Sequence, residues 1–382
     1  MKRKTLMLAA LGLFLFAQSA LADWTPAKRL TWTSGHSQGA SIALDSSGNL
    51  HLVWTDNTSG GGEIYYRKST DGGTSWMVPR RLSWSSGYSG IPALAVEPSG
   101  IIHVAWQDDT IGNYEVYYRK SVDGGDTWTA GKRLTWNSGN SYMPALDVDS
   151  AGNVHILWSD ETSGNCEIYY RKGMNGGATW SPSQRLTWTA NWSGSLAVIA
   201  DSSDNLHAVW YDYTPGNAEI YYRKSTDGGS TWAAAKRLTW NAGASYEPAI
   251  SVDSTGNLHV VWADYQPGNW EIYHKKSTDG GDTWAASHRL TWNSEDSYIP
   301  ALAVDSQDNL HVVYQDNTPG EYEIYYKKST DGGGYWTGSK RLTWTIGYSL
   351  GPGIAIDSSD VIHIVWEDNT PGKFAIYYMN GN

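Results

Sequence analysis

Carboxylates recur at fixed places along this chain and are its first candidates for chemistry. An Asp follows Trp-x or Tyr-x in each case, and a Glu usually stands seven residues later. Most glycoside hydrolases act through two such carboxyl groups. The Asp could instead coordinate a cation, accept hydrogen bonds from sugar hydroxyls, or cap the following turn, and we favour the turn cap. The residues are Asp56, Asp108, Asp160, Asp212, Asp264, Asp316 and Asp368, with Glu63, Glu115, Glu167, Glu219, Glu271 and Glu323.

Aromatic side chains vary at positions close to these carboxylates. Since most of the chain repeats, aromatic residues that break the repeat indicate a tuned surface, and exposed rings suit stacking on sugars. We predict that a ligand contacts a set drawn from these aromatic residues and the nearby carboxylates: Trp192, Trp270, Tyr114, Tyr322, Tyr348, Asp108, Asp264 and Asp316.

Three other residue types occur where chemistry is conceivable. The Trp of Arg-Leu-Thr-Trp could stack on sugars or pack between repeats, and its presence in every repeat favours packing. A His recurs once per repeat, and we interpret it as structural because a metal needs several ligands to converge. Cys166 has no basic partner in its own repeat, so we expect an inert thiol. No catalytic residue, metal site or cofactor is predicted. The Trp residues are Trp32, Trp84, Trp136, Trp188, Trp240, Trp292 and Trp344, and the His residues are His51, His103, His155, His207, His259, His311 and His363.

All these residues belong to a unit that recurs every 52 residues, marked by Arg-Leu-Thr-Trp or a close variant. The second unit contains four runs of β-forming residues, at 93–96, 101–106, 115–120 and 132–136, bounded by Gly, Asp, Asn or Pro. Four short strands at a period near 50 are typical of propeller blades. We therefore predict an all-β, seven-bladed β-propeller over residues 23–382, with four antiparallel strands per blade.

The chain ends predict how this ring closes. The chain stops at Asn382, where a further hairpin would begin, and Asp23 and Trp24 match the end of that hairpin. We expect the segment through Trp32 to form the outer strand of the last blade. Such closure removes the exposed edges of the sheet.

A second marker, Ser-x-Asp-Gly-Gly-x-x-Trp, is an Asp-box. Its Asp can accept backbone N–H groups in the turn, its glycines can take positive φ, and its Trp can pack on the hairpin. We expect a structural role, and we expect Asn175 to cap the same turn in the third repeat. The predicted structural residues are Asp71, Asp123, Asn175, Asp227, Asp279 and Asp331, with Trp24, Trp76, Trp128, Trp180, Trp232, Trp284 and Trp336.

On these boxes the chain resembles the Asp-box (BNR-repeat) β-propeller proteins of the sialidase superfamily, over residues 23–382. The resemblance implies an active face opposite the Asp-boxes. Sialidases there use three arginines to hold the substrate carboxylate, a Tyr–Glu nucleophile and an Asp acid/base. The loops predicted for that face contain no Arg, and Lys373 is their only basic residue. The Phe/Tyr-Arg-Ile-Pro motif is also missing, so the resemblance leaves the activity open.

The first residues predict export. Lys2, Arg3 and Lys4 precede an apolar run at 6–17 and the sequence Ala20-Leu21-Ala22, the pattern of a signal peptide. We expect cleavage after residue 22 and a secreted protein, periplasmic or extracellular. Loss of the three basic residues moves the formal charge from −11 to −14. So acidic a protein disfavours nucleic acid and anionic membranes, and no later apolar run is long enough to insert in a membrane.

Near-identical repeats favour a non-enzymatic, lectin-like protein. Several similar weak sites, on the loop face or in grooves between blades, would bind neutral glycans more strongly together than singly. A sialidase-like exo-glycoside hydrolase is the alternative. A scaffold that binds a protein partner is the second alternative.

Overall fold

A computed structural model describes residues 24–382. The predicted signal peptide, residues 1–22, lies outside the described residues. Over the described range the regular secondary structure consists of β-strands grouped in seven sheets, which form the seven blades of a propeller. The predicted fold class is therefore confirmed.

Each blade is one antiparallel sheet. In blades 1 to 6 the strands follow in chain order from the axis to the rim, and in blade 7 the N-terminal strand of the chain is the outermost. Blade 3 has one extra two-residue strand. The strands are, in blade 1, β2 Ser37–Leu44, β3 Leu50–Asp56, β4 Glu63–Ser69 and β5 Arg80–Arg81; in blade 2, β6 Ser89–Val96, β7 Ile102–Asp108, β8 Glu115–Ser121 and β9 Lys132–Arg133; in blade 3, β10 Ser141–Val148, β11 Val154–Asp160, β12 Glu167–Met174, β13 Thr179–Trp180 and β14 Gln184–Arg185; in blade 4, β15 Ser193–Ala200, β16 Leu206–Asp212, β17 Glu219–Ser225 and β18 Lys236–Arg237; in blade 5, β19 Ser245–Val252, β20 Leu258–Asp264, β21 Glu271–Ser277 and β22 His288–Arg289; in blade 6, β23 Ser297–Val304, β24 Leu310–Asp316, β25 Glu323–Ser329 and β26 Lys340–Arg341; and in blade 7, β1 Lys28–Arg29, β27 Ser349–Ile356, β28 Ile362–Asp368 and β29 Ala375–Gly381.

The ring closes as predicted. The N-terminal strand β1 pairs with the C-terminal strand β29, with Lys28 opposite Tyr378 and Arg29 opposite Tyr377. The Thr25 amide also donates to the Asn380 carbonyl at 2.8 Å. The two ends of the chain therefore build one blade together.

The strand boundaries differ from the predicted ones at the axis and at the rim. In blade 2 the inner strand begins at Ser89 rather than at 93. It pairs with the second strand on both sides of a bulge that lies between Gly90 and Ala93. Ile91 takes φ +51 in this bulge. The outer strand stops at Arg133, so Trp136 lies beyond the sheet.

The hydrophobic core lies between neighbouring blades. One cluster joins Val53 and Ile64 of blade 1 to Ile102, Val104 and Trp106 of blade 2. The second strand of each blade is buried on both faces, which explains its nearly continuous apolar sequence.

The Asp-box turns are held by the side chain of their Asp. Asp71 accepts hydrogen bonds from the Ser75 amide at 2.8 Å and the Ser75 hydroxyl at 2.6 Å. These bonds lower the pKa of Asp71 to about 2. The Trp of the box packs edge-on against the preceding blade, Trp76 lying 5.3 Å from Tyr378. The box thus joins two blades as well as closing a hairpin.

The third box is a correction to the sequence analysis, which expected Asn175 to cap the same turn. Asn175 instead takes φ +54, and the Ala178 amide donates to the Met174 carbonyl at 3.0 Å. Met174 then pairs with Thr179, which produces the extra strand β13. Backbone hydrogen bonds close this hairpin where an Asp side chain closes the others.

The recurring His is buried within its own blade. In blade 1 the His51 ring bonds Tyr66 through Nδ1 at 2.8 Å and Asp45 through Nε2 at 3.3 Å. Burial lowers the pKa of His51, which favours the neutral ring. Within residues 24–382 no group of three or more His, Cys, Asp or Glu side chains is arranged to hold a metal ion.

Candidate functional site

The Trp of Arg-Leu-Thr-Trp forms a ring of exposed indoles around the propeller. We call these seven residues the wall tryptophans. Their exposure, between 63 % and 71 %, shows that the favoured interpretation, packing between blades, is wrong. The outer strand ends three residues before each Trp, and the side chain stands free of the core. The wall tryptophans are Trp32, Trp84, Trp136, Trp188, Trp240, Trp292 and Trp344.

An ion pair between a partly exposed Arg and a buried Glu orients the wall tryptophan in six of the blades. In blade 3 the Arg185 guanidinium lies 5.8 Å from the Trp188 ring centroid and donates to Glu167 at 2.8 Å. Glu167 also accepts a hydrogen bond from the Thr189 backbone amide at 2.9 Å. In blade 7 the Glu is replaced by Ala375, and Arg29 donates to the Thr31 carbonyl. The indole is therefore a preorganised platform, and the recurring Glu is structural rather than available for catalysis.

The wall tryptophans Trp32, Trp188 and Trp344 each border a groove whose floor comes from the next blade. Between blades 3 and 4, Trp188 stands beside Trp210 and Tyr221, which stack at 6.0 Å. Thr214 and Arg223 complete the lining of this groove, which has a volume of about 290 Å³. The matching groove between blades 7 and 1 has a volume of about 240 Å³. An exposed indole above a floor of packed aromatics, with hydroxyl groups at the edge, suits a neutral sugar ring.

The carboxylates predicted to bind a ligand are buried instead. Asp108, Asp264 and Asp316 are at most 5 % exposed. Asp264 accepts hydrogen bonds from Ser245, at 3.0 Å, and from the Gln266 amide, at 2.9 Å. Asp108 and Asp316 make the equivalent bonds. We therefore correct these three residues to turn caps, the role that the sequence analysis favoured for the whole set.

A second group of aromatic side chains extends over blades 3 to 6. Trp270 contacts Tyr246, Tyr265 and Tyr298 with ring centroids 5.1–5.4 Å apart. Trp192 lies at the other end of the group, 6.2 Å from Tyr142. We call this group the aromatic arc. Its members are Tyr142, Trp192, Tyr211, Tyr213, Tyr246, Tyr265, Trp270 and Tyr298.

Of the remaining predicted aromatics, Tyr114 lies in blade 2, Tyr322 in blade 6 and Tyr348 at the start of blade 7. Tyr114 contacts Tyr88, with ring centroids 6.5 Å apart. Tyr322 is half-buried, and a hydrogen bond with Glu321 raises the pKa of the exposed Tyr348. A hydrogen bond between Trp192 and Tyr211 joins the two parts of the arc. The structure thus brings Trp192 and Trp270 into one connected group and leaves Tyr114, Tyr322 and Tyr348 outside its ring contacts.

Sequence reasoning missed Tyr211, Tyr213 and Tyr265. Tyr213 and Tyr265 occupy the position after the repeated Asp, where other blades have Asn, Asp or Glu. That break in the repeat was the available signal. Tyr211 contacts Tyr246 at 4.8 Å, across the boundary between blades 4 and 5.

Two acids lie beside the aromatic arc, and the first, Glu161, accepts a hydrogen bond from the Tyr142 hydroxyl at 3.1 Å. The second, Glu247, occupies a bulge at φ +50 and accepts a hydrogen bond from the Ser195 hydroxyl at 2.6 Å. Burial raises the pKa of Glu247. Its negative charge contributes to raising the pKa of Tyr211 to about 12. A carboxyl group with a raised pKa is suited to donating a proton near neutral pH.

Cys166 has the inert environment expected of it. It is buried, and burial raises the pKa of its thiol to about 11. The thiol is therefore protonated at neutral pH and is a poor nucleophile.

Residues 24–382 contain no helix that is long and apolar enough to cross a membrane.

The blades, the Asp-boxes and the closure of the ring define a BNR-type seven-bladed β-propeller. The model of the BNR repeat-like domain matches residues 14–260, and the chain belongs to this family. A search of curated proteins found no match.

Solved structures share the fold at low sequence identity. A protein of unknown function from Dyadobacter fermentans is 13 % identical, with 93 % of this chain and 99 % of that chain covered and a TM-score of 0.61. An ulvan lyase, from a new family of polysaccharide lyases, is 11 % identical, with 92 % and 95 % covered and a TM-score of 0.66. The NanB sialidase from Streptococcus pneumoniae is 12 % identical, with 92 % and 70 % covered and a TM-score of 0.53. Identities this low support a shared fold and leave the function to the site.

Proposed function

We propose that this protein is a lectin-like propeller that binds neutral glycans in the grooves beside its wall tryptophans. The observation that carries the proposal is the exposure of the same indole in all seven blades, each oriented by an arginine. Stability alone would favour burial of these seven rings. Large apolar side chains that stay exposed in a regular array indicate an interaction surface. The predicted signal peptide supports action outside the cytoplasm.

Neutral ligands fit the charges of the groove. The groove between blades 3 and 4 contains Asp212 and Arg223, and both are engaged within the protein. Asp212 accepts a hydrogen bond from Ser193, while Arg223 donates to the Leu186 carbonyl. Neither is free to pair with a charged ligand. The small volume of a groove implies that each groove binds weakly. Binding of one polymeric glycan to several grooves at once would strengthen the overall affinity.

A glycan array carrying neutral and sialylated structures tests this function. The protein is expected to bind neutral glycans, and replacement of all seven wall tryptophans by Ala is expected to abolish the signal. Tyr335→Ala is the matched control, since Tyr335 is 71 % exposed on an Asp-box hairpin and borders none of the three grooves described. Retention of binding by the seven-fold variant would contradict the proposal.

A glycoside hydrolase is the second candidate, and Glu247 is the observation in its favour. Its raised pKa and the tyrosines beside it resemble the environment of a general acid. Turnover of chromogenic neutral glycosides, lost in Glu247→Gln and retained when the wall tryptophans are replaced, would establish this activity. Absence of turnover over a broad panel would remove it.

A further inference from the structure

The groove between blades 6 and 7 differs from the two other grooves described above. It has a volume of about 480 Å³, against about 290 Å³ between blades 3 and 4 and about 240 Å³ between blades 7 and 1. Ligand pockets typically have volumes of about 300–1,000 Å³. Of the three, this groove lies well inside that range, while the other two lie at or below its lower limit.

One residue explains the difference. In five blades a cation on the third strand crosses the groove and donates to a leucine carbonyl of the preceding blade. The position 52 residues further on from Lys327 is Met379, which has no N–H group for such a bond. The five pairs are Arg67 with Leu30, Arg119 with Leu82, Arg171 with Leu134, Arg223 with Leu186, and Lys275 with Leu238.

Met379 lines this groove in place of the cation. It is buried in a core cluster with Leu342 and Trp366. Arg223 and Arg67, at the matching position of their blades, are half-buried and line their own grooves. The groove between blades 6 and 7 therefore lacks a guanidinium and has the largest volume of the three.

The lining is aromatic and apolar with hydroxyl groups at one edge. Trp24, Pro26 and Tyr377 face the space together with the wall tryptophan Trp344, which is 71 % exposed. Asp368, which also borders it, is buried and accepts hydrogen bonds from Ser349 and the Thr370 amide. No lining side chain is basic.

We infer that this groove is a specialised site for a neutral glycoside that carries an apolar substituent, such as an aryl or alkyl aglycone. The sugar ring stacks on Trp344, and the substituent enters the space that an arginine occupies elsewhere. This inference rests on the proposed function for the sugar and adds a second specificity for the substituent. Burial of the added apolar surface strengthens binding at this groove relative to the others.

Calorimetric titration with 4-nitrophenyl and methyl glycosides of glucose, galactose, mannose and fucose tests the inference. For the sugar that binds, the 4-nitrophenyl form is expected to show one site at least tenfold tighter than the rest, and the methyl form is expected to show none. Met379→Arg restores the crossing cation, so the tight site is expected to disappear while the weak sites remain. Met379→Lys, which copies Lys275, replaces this variant if it does not fold.

The reverse substitution provides the matched control. Arg223→Met opens the groove between blades 3 and 4 and is expected to create a second tight site for the 4-nitrophenyl form. Equal affinity for both glycoside forms, or a tight site unaffected by Met379→Arg, would overturn the inference while leaving binding at the wall tryptophans intact. Loss of all sites only when the wall tryptophans are replaced would support the proposed function separately, and no binding of any glycoside would overturn both.

Discussion

Single residues decide what each blade offers to solvent. The wall Trp occurs in every repeat, and from sequence alone an invariant residue is best explained by packing. Its exposure follows from where the outer strand ends and from the Arg185–Glu167 type of ion pair, which joins residues 18 positions apart. Neither feature can be derived from local pattern, because both depend on how the third and fourth strands pair. The candidate Asp residues were misjudged for the same reason, since their Ser partners lie in a neighbouring strand.

Glu367 gives a prediction at the residue scale. Its carboxylate accepts a hydrogen bond from the Gly39 amide at 3.0 Å, and burial raises the pKa of Glu367 to about 7. Because the folded state holds the proton more tightly than the unfolded chain, stability is full below about pH 4.5 and falls as the pH rises through 7. Gln107 and Gln315 make the equivalent bond to Met143 and Gly351 without a charge.

Glu367→Gln is therefore expected to raise the free energy of unfolding by about 1–3 kcal/mol at pH 8 and to leave it nearly unchanged at pH 4. Urea denaturation at the two pH values measures this. An equal change at both would show that the charge of Glu367 is not the cause.

At the scale of the element, six of the seven blades carry a rim device, the Arg–Glu ion pair between the third and fourth strands. The Glu219 carboxylate accepts hydrogen bonds from the Arg237 guanidinium at 2.8 Å and from the Asn241 backbone amide at 3.0 Å. The sequence predicted the strands that hold this device, and their order, because strand-forming runs and turn residues alternate regularly. It did not predict the bulge at Ile91, since a β-branched residue at φ +51 goes against local preference.

Glu219→Ala tests the rim device. Removing the carboxylate leaves Arg237 without its ion-pair partner, and the free energy of unfolding is expected to fall by about 1–3 kcal/mol. The Trp240 indole beside Arg237 is expected to become more mobile, measured as a lower fluorescence anisotropy relative to wild type. Glu295→Ala is the control, because Glu295 is exposed on a loop. Equal stability of the two variants would contradict the role of the ion pair.

Blade 5 carries a different prediction. His274 stands where the six other blades have Tyr. Its Nε2 atom lies 3.1 Å from Nδ1 of His259. Burial, followed by the nearby His259, His288 and Lys276, lowers the pKa of His274 well below its usual value. The unfolded chain takes up a proton below about pH 6.5 and the folded state resists it, so stability is lost as the pH falls below that value.

His274→Tyr restores the repeat, in which Tyr222 bonds His207 at 2.8 Å. The variant is expected to lose less thermal stability than wild type between pH 8 and pH 5, as followed by scanning calorimetry. His288→Tyr, at a less buried position, serves as the control. An identical acid-induced loss in wild type and His274→Tyr would contradict this account.

At the scale of the whole molecule, the ring shape follows directly from the repeat. Seven units of equal length and a matched pair of chain ends were enough to predict the number of blades and the closure through β1 and β29. The aromatic arc was predictable only in part, because Trp192 and Trp270 stand out from the repeat while their contacts cross from blade to blade. The ring also distributes seven wall tryptophans around one rim, so a polymeric glycan could contact several grooves at once.

The most direct test of the central claim is the apparent affinity for a polymeric neutral glycan as wall tryptophans are removed one, three and seven at a time. Affinity is expected to fall with each step, since every groove adds a similar weak contact. Circular dichroism establishes that each variant is folded. A stepwise loss, ending in no binding when all seven are Ala, is the result predicted here. Affinity that is unchanged after the seventh replacement would show that the glycan binds elsewhere and would contradict the account.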